Sequence, residues 1–138
     1  MLNSRVVFDT NILISAVLSP NSKPFQCTAL AKHGIVQSVT CQEILDEFQE
    51  KLQGKLKYEI ERATALVQEV IDYSQLVMLT NTLKVVDADP DDDMVVECAI
   101  VGNATYIVTG DKHLLSLNSY QNVTMLKAAD FLNLVLSG

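Results

Sequence analysis

The sequence predicts an α/β domain built on a mostly parallel sheet. Short β-branched runs alternate with helix-length stretches along most of the chain, which implies βαβ units with helices on both faces. Hydrophobic residues make up 49% of the 138 positions, aromatics only 6%, and there is no Trp. An aliphatic composition of this kind suits strands buried on both faces. One domain spanning residues 1–138 accounts for the length, because two separate cores would leave each half marginal. No internal repeat, low-complexity tract or linker divides the chain.

The elements follow in order. Arg5-Val-Val-Phe-Asp9 is a β-branched run that ends in a carboxylate. Thr10 to Leu18 has helical character until Ser19-Pro20-Asn21 breaks it. Phe25 to His33 reads as a helix stopped by Gly34, and Ile35 to Val39 as a second strand. Thr40 is a suitable N-cap for a helix from about Gln42 to Leu52, with Glu43 at the capping-box position. Gly54 interrupts, a longer helix runs from roughly Tyr58 to Gln75, and Leu76 to Leu79 has the look of an edge strand. Asp89-Pro90 opens a helix that continues through about Val101, with Asp as cap and Pro at the first position, and Gly102-Asn103 closes it. A strand at Tyr106 to Val108, a short helix at His113 to Leu117, a strand at Val123 to Leu126 and a helix from Ala128 to Leu136 complete the pattern.

Composition excludes several classes. No apolar run approaches the ~20 residues needed to cross a bilayer. Met1-Leu2-Asn3-Ser4-Arg5 lacks a charged leader and a small-residue cleavage site, so a soluble cytoplasmic protein without membrane contact is expected. Cys27, Cys41 and Cys98 show no C-x-x-C spacing and read as reduced structural thiols. With His33 and His113 the only histidines, a Cys/His zinc site has too few ligands. The net charge of −7 runs against the basic surface that phosphate contacts normally require. Acids gathered at a metal site would account for part of that excess, since bound cations reverse the local sign.

The acids fall where such a site is expected. Asp9 and Asp111 each follow a strand, and open parallel sheets collect functional groups beyond the carboxyl ends of their strands. Either Asp alone could instead be a turn former or helix cap. On the helix beginning near Gln42, the apolar residues Ile44, Leu45, Phe48 and Leu52 define one face. Glu47 lies about 115° from its centre, nearer the core edge than Glu43 or Glu50. In Asp87-Ala-Asp89-Pro-Asp91-Asp92-Asp93, the helix macrodipole favours acids in the first turn. It does not explain Asp92, which sits three, four, seven and eight residues before Val95, Val96, Ala99 and Ile100, on their apolar stripe. A buried carboxylate there needs donors or a cation. An all-oxygen set of Asp9, Glu47, Asp92 and Asp111 would suit Mg²⁺ or Mn²⁺ and phosphodiester hydrolysis.

These same residues resemble the motifs of PIN domains. Val-Val-Phe-Asp9-Thr-Asn11-Ile-Leu-Ile-Ser-Ala is similar to the opening motif, and Gln42-Glu-Ile-Leu-Asp-Glu47-Phe to the intervening helix. Asp89-Pro-Asp-Asp-Asp93 and Tyr-Ile-Val-Thr109-Gly-Asp111-Lys-His-Leu-Leu resemble the later pair. The variant most like this chain is the group of VapC-like toxins of toxin–antitoxin systems. The resemblance implies a three-layer α/β/α fold and Mg²⁺- or Mn²⁺-dependent endoribonuclease activity. It carries the catalytic acids onto Asp9, Glu47, Asp92 and Asp111, with Asp9, Asp92 and Asp111 as metal ligands and Asp93 and Glu43 as alternates. Asn11 and Thr109 match supporting polar positions. It also implies an RNA substrate, a small antitoxin partner and a homodimer. Lys23 and Lys112 are candidates for substrate phosphate contact, although each also reads as an ordinary solvated lysine.

Other classes fit less well. A phosphatase with a nucleophilic Asp9 would want an acid two residues on, where Asn11 stands, and an amide cannot shuttle a proton. No Gly-rich turn follows the first strand, and no G-x-S-x-G elbow is present. The competing reading from another class is a non-catalytic module of the same fold that binds RNA or an antitoxin.

Overall fold

The computed structural model describes residues 4–85 and 90–137. Val6, Val7 and Phe8 of β1 (Ser4–Phe8) are almost fully buried, as expected of a strand covered on both faces. β1 lies at the centre of a six-stranded sheet. It pairs in parallel with β2 (Val36–Cys41) on one side and with β4 (Tyr106–Val108) on the other. β3 (Ser74–Val77) adds to β2, and β6 (Val123–Leu126) to β4, giving the order β3-β2-β1-β4-β6-β5. Among the described residues, only β5 (Ser119–Tyr120) is antiparallel. It forms a hairpin with β6 through Gln121 and Asn122, both at positive φ as a type I′ turn requires.

α1 (Thr10–Leu18), α2 (Lys23–Lys32), α3 (Gln42–Glu50) and α4 (Ile60–Asp72) connect β1 to β2 and β2 to β3 and pack against one another. α5 (Pro90–Val101) carries the chain back across the sheet to β4, packing on β1, β2, β4 and β6. Right-handed crossovers in opposite directions place these helices on opposite faces. The result is the three-layer α/β/α arrangement. After α6 (Lys112–Leu117), α7 (Ala128–Ser137) returns to pack on α2. Phe131 of α7 meets Phe8 edge to face, with ring centroids 6.5 Å apart.

Several boundaries differ from the sequence reading for local physical reasons. Thr40 stays in β2, and Cys41 stands at the N-cap of α3 without a side-chain cap bond. The capping box is therefore not made, and Glu43 accepts instead from Asn81 Nδ2 at 2.8 Å. α2 starts at Lys23, two residues earlier than expected, because the Ser22 hydroxyl accepts from Phe25 N. Gly54 does not break the chain but lies in a π-helical turn, Lys51–Lys55, that extends α3. α4 ends at Asp72, since Ser74–Val77 is claimed by pairing with β2 and by a 2.7 Å bond between the Ser38 and Ser74 hydroxyls. β5 was not anticipated. The cap expected at Asp89 lies outside the described residues, as does Asp87.

Gly102 ends α5 for a reason beyond helix termination. A Cβ added there would lie 2.3 Å from Val39 Cγ1 and 3.2 Å from Cys98 O, so α5 and β2 touch through its missing side chain. Asn103 takes the positive φ that follows.

Candidate active site

The sheet changes direction between β1 and β4: the chain leaves β1 toward β2 but returns across it to β4. A crevice opens beyond the carboxyl ends of strands at such a switch point. Asp9 and Thr109 are the residues that follow those two strands, and they are tied together. Asp9 N donates to Val108 O at 3.0 Å, and Thr109 Oγ1 donates to Asp9 Oδ2 at 2.7 Å. The same Thr109 oxygen accepts from Asp111 N at 2.9 Å. One buried hydroxyl therefore links the two strand-end acids.

Asp9 stands at the N-cap of α1, but its side chain makes no cap bond; only its carbonyl accepts, from Ile12 N and Leu13 N. Asp9 is only 6% exposed. Burial pushes its pKa above the ordinary 3.8 and the neighbouring Asp111 charge adds to this, against the opposing pull of Thr109, the Thr10 backbone N–H and Lys51. Asp111 is a cap in the full sense: Oδ1 accepts from His113 N at 2.8 Å and Leu114 N at 3.2 Å. The cap fixes the Asp111 side chain near Asp9.

On α5, Asp92 is 5% exposed and lies on the face with the buried Val95, Val96 and Ala99, while Ile100 is half-buried. Asp93 is half-buried and accepts from Val85 N at 2.7 Å. Glu47, also half-buried, lines a broad cleft of about 770 Å³ together with Glu43, Glu50, Asp91 and Asp93. Asp9, Asp92 and Asp111 are not among that cleft's lining residues. Among the described residues, no three His, Cys, Asp or Glu side chains converge closely enough to hold an ion. Asp9 and Asp111 are thus brought together, whereas Glu47 stands with Asp93 across a wider opening. Lys112 is exposed beside Asp111. Lys23 opens α2 beyond the far end of α1, about 13 Å of helix from Asp9.

Three residues were missed by the sequence reading. Lys51 lines the cleft and donates from Nζ to Asn11 Oδ1 at 3.0 Å, which is what the exposed Asn11 does here. Glu97, 6% exposed, anchors the segment before α5: it accepts from Thr80 N (2.8 Å), Asn81 N (3.0 Å), Leu83 N (3.2 Å) and the Thr80 hydroxyl. Burial alone would raise its pKa, but those bonds outweigh it and hold the carboxyl below the ordinary 4.5. Asn81, the third, joins this anchor to Glu43. The available signal for Glu97 was a lone charge inside Met94-Val-Val-Glu-Cys-Ala-Ile-Val101.

The donor set is chemically suited to a hard divalent cation, being all oxygen, with a buried carboxylate beside a second acid. No described helix is long and apolar enough to cross a membrane.

Comparison with known proteins agrees with this fold. An uncharacterized protein of Methanocaldococcus jannaschii is 32% identical over 116 residues, covering 82% of this chain and 74% of its own. The crystal structure of VapBC2 from Rickettsia felis, bound to a DNA fragment from its promoter, superposes with a TM-score of 0.61 at 15% identity. That match covers 89% of this chain and 98% of the other. PAE2754 from Pyrobaculum aerophilum superposes over both complete chains with a TM-score of 0.60 at 12% identity. The profile of the PIN domain matches residues 5–113, and the chain belongs to the PIN-domain family, whose members are generally nucleases.

Proposed function

We propose that this protein is a divalent-metal-dependent endoribonuclease and the toxin of a toxin–antitoxin pair. The observation that carries the reading is the shared Thr109 hydroxyl, which fixes Asp9 and Asp111 side by side at the switch point of the sheet. A cap or turn role does not account for Asp9, whose side chain makes no cap bond and pays a burial penalty instead. Asp9 and Asp111 would hold Mg²⁺ or Mn²⁺ together, with Asp92 on the inner face of α5 as the third candidate ligand, while Glu47 lines the cleft beyond them. Asp93 and Glu43 stand as the alternates, each accepting a bond from the segment before α5. When bound, a divalent ion supplies a Lewis acid that offsets charge developing on phosphate oxygens. Thr109 orients the Asp9 carboxylate, and the α6 cap keeps Asp111 from rotating away.

The partner reading is a small antitoxin protein and a second copy of the chain, in the cytoplasm. It is supported by the family and by the likeness to VapBC2. The acidic lining of the cleft favours a second reading, a non-catalytic module that binds a partner through the same fold. Calorimetric titration with Mn²⁺ separates the two. The ribonuclease reading expects saturable binding that weakens at least tenfold in Asp9→Asn. An absence of heat with Mn²⁺ and Mg²⁺ alike would favour the binding module.

A further inference from the structure

A strand of RNA carries one negative charge per nucleotide, and the cleft beside Asp9 is lined mainly by acids. Two of its lining residues are cations, Lys51 and Lys84. Lys84 is exposed on the segment before α5. Lys51 is held differently. It caps the C-terminal end of α3, one turn beyond Glu47, and begins the π-helical turn. Such turns inside helices frequently mark functional positions.

Its ammonium donates to Asn11 Oδ1 at 3.0 Å, two residues past Asp9. Lys51 therefore spans from the helix of Glu47 to the strand end of Asp9, and Asp9 feels its charge. An ammonium has three donors, and Asn11 is the one hydrogen-bond partner of the Lys51 ammonium among the described residues. The partner is a neutral amide even though carboxylates line the same cleft. A lysine stored as a counter-ion would be expected on an acid. One held by a neutral amide has no carboxylate bonded to it, and its side chain is already placed at the cleft.

We propose that Lys51 contacts a phosphate of the RNA strand lying in this cleft, and that Asn11 is the positioning residue that holds its ammonium there. The inference rests on the ribonuclease reading above. It moves the principal phosphate contact away from Lys23, which lies beyond the far end of α1.

Steady-state cleavage of a fluorescent single-stranded RNA in Mn²⁺, over a series of salt concentrations, tests it. Lys51→Ala should raise KM about tenfold while kcat falls by less. Its plot of log KM against log salt should be flatter by about 0.7, the loss of one single-strand phosphate contact. Lys51→Arg should recover most of the KM, and Asn11→Ala should raise KM by a smaller factor. Lys55→Ala, in the same turn but outside the cleft lining, should match wild type. Wild-type KM and salt slope in Lys51→Ala, with the wild-type enzyme active, would overturn the Lys51 assignment alone. So would a KM rise that Lys51→Arg does not reverse. A wild-type chain that fails to cleave would overturn the ribonuclease reading and this inference with it.

Discussion

Thr109 Oγ1 lies 2.7 Å from Asp9 Oδ2 and donates to it, across 100 positions of sequence, in the interior of the molecule. The same oxygen accepts the backbone N–H of Asp111. Thr109→Val keeps the shape and removes both bonds, leaving Asp9 and the Asp111 N–H short of a partner. Unfolding in urea should show a loss of about 1–3 kcal/mol, and RNA cleavage should drop. Thr109→Ser, which restores the hydroxyl, should recover most of both.

The two strand-end acids should separate under substitution. In chelator, Asp9→Asn should leave stability unchanged or raised, because the amide oxygen still accepts from Thr109 while a buried charge and its repulsion with Asp111 are removed. Asp111→Asn should also be tolerated, since Asn caps helices as well as Asp. Asp111→Ala should cost about 1 kcal/mol through loss of the α6 cap. All three should abolish cleavage. Thermal melts beside an RNA assay check the pattern, and a large loss in Asp9→Asn would make that carboxylate structural.

Asp9 and Glu97 should respond to acid in opposite senses. The folded-state pKa of Asp9 is raised by burial first and by Asp111 next, so its ionised form costs stability above that value. As pH falls through the raised pKa toward 3.8 the cost disappears, and any advantage of Asp9→Asn should shrink with it. Glu97 is lowered by its bonds to Thr80, Asn81 and Leu83. Its contribution is fully present above 4.5 and is lost as pH falls through the lower folded value. Glu97→Gln should therefore destabilise most near neutrality and least in strong acid. A urea-unfolding series in chelator from neutral pH downward checks both signs.

Gly102→Ala should destabilise by about 1–3 kcal/mol, the usual cost of overpacking, because its Cβ would meet Val39 Cγ1 at 2.3 Å. A second change, Val39→Ala, which clears that contact, should make the Gly102→Ala substitution less costly in a double-mutant cycle. Equal costs in both backgrounds would point away from the α5–β2 contact as the reason for glycine.

The features legible from sequence were those set by local pattern. Val6, Val7 and Phe8 read as a buried strand, and Val95, Val96 and Ala99 defined the inner face that also holds Asp92. Strand-end position singles out Asp9 and Asp111, which the Thr109 hydroxyl links. What local pattern could not reach were bonds between distant segments. Glu97 meets backbone N–H groups 14 to 17 residues earlier, and Lys51 meets Asn11 across 40 positions. Glu43 illustrates the competition. Its spacing from Thr40 suited a capping box, but Thr40 was drawn into β2 and Glu43 went to Asn81. Gly102 was recognised as a helix stop, whereas its tighter constraint, Val39 on another element, has no local signature.

The central claim is that Asp9 and Asp111 form a hydrolytic metal centre, and it is tested most directly by incubating RNA with purified wild-type protein and with Asp9→Asn, each in Mn²⁺ and in chelator. The account predicts cleavage by wild type in Mn²⁺ only, reduced at least about a hundredfold in Asp9→Asn, a size typical of losing a charge-stabilising group at a reaction centre. RNA left intact by wild type under every divalent ion, or cut equally well by Asp9→Asn, would contradict it.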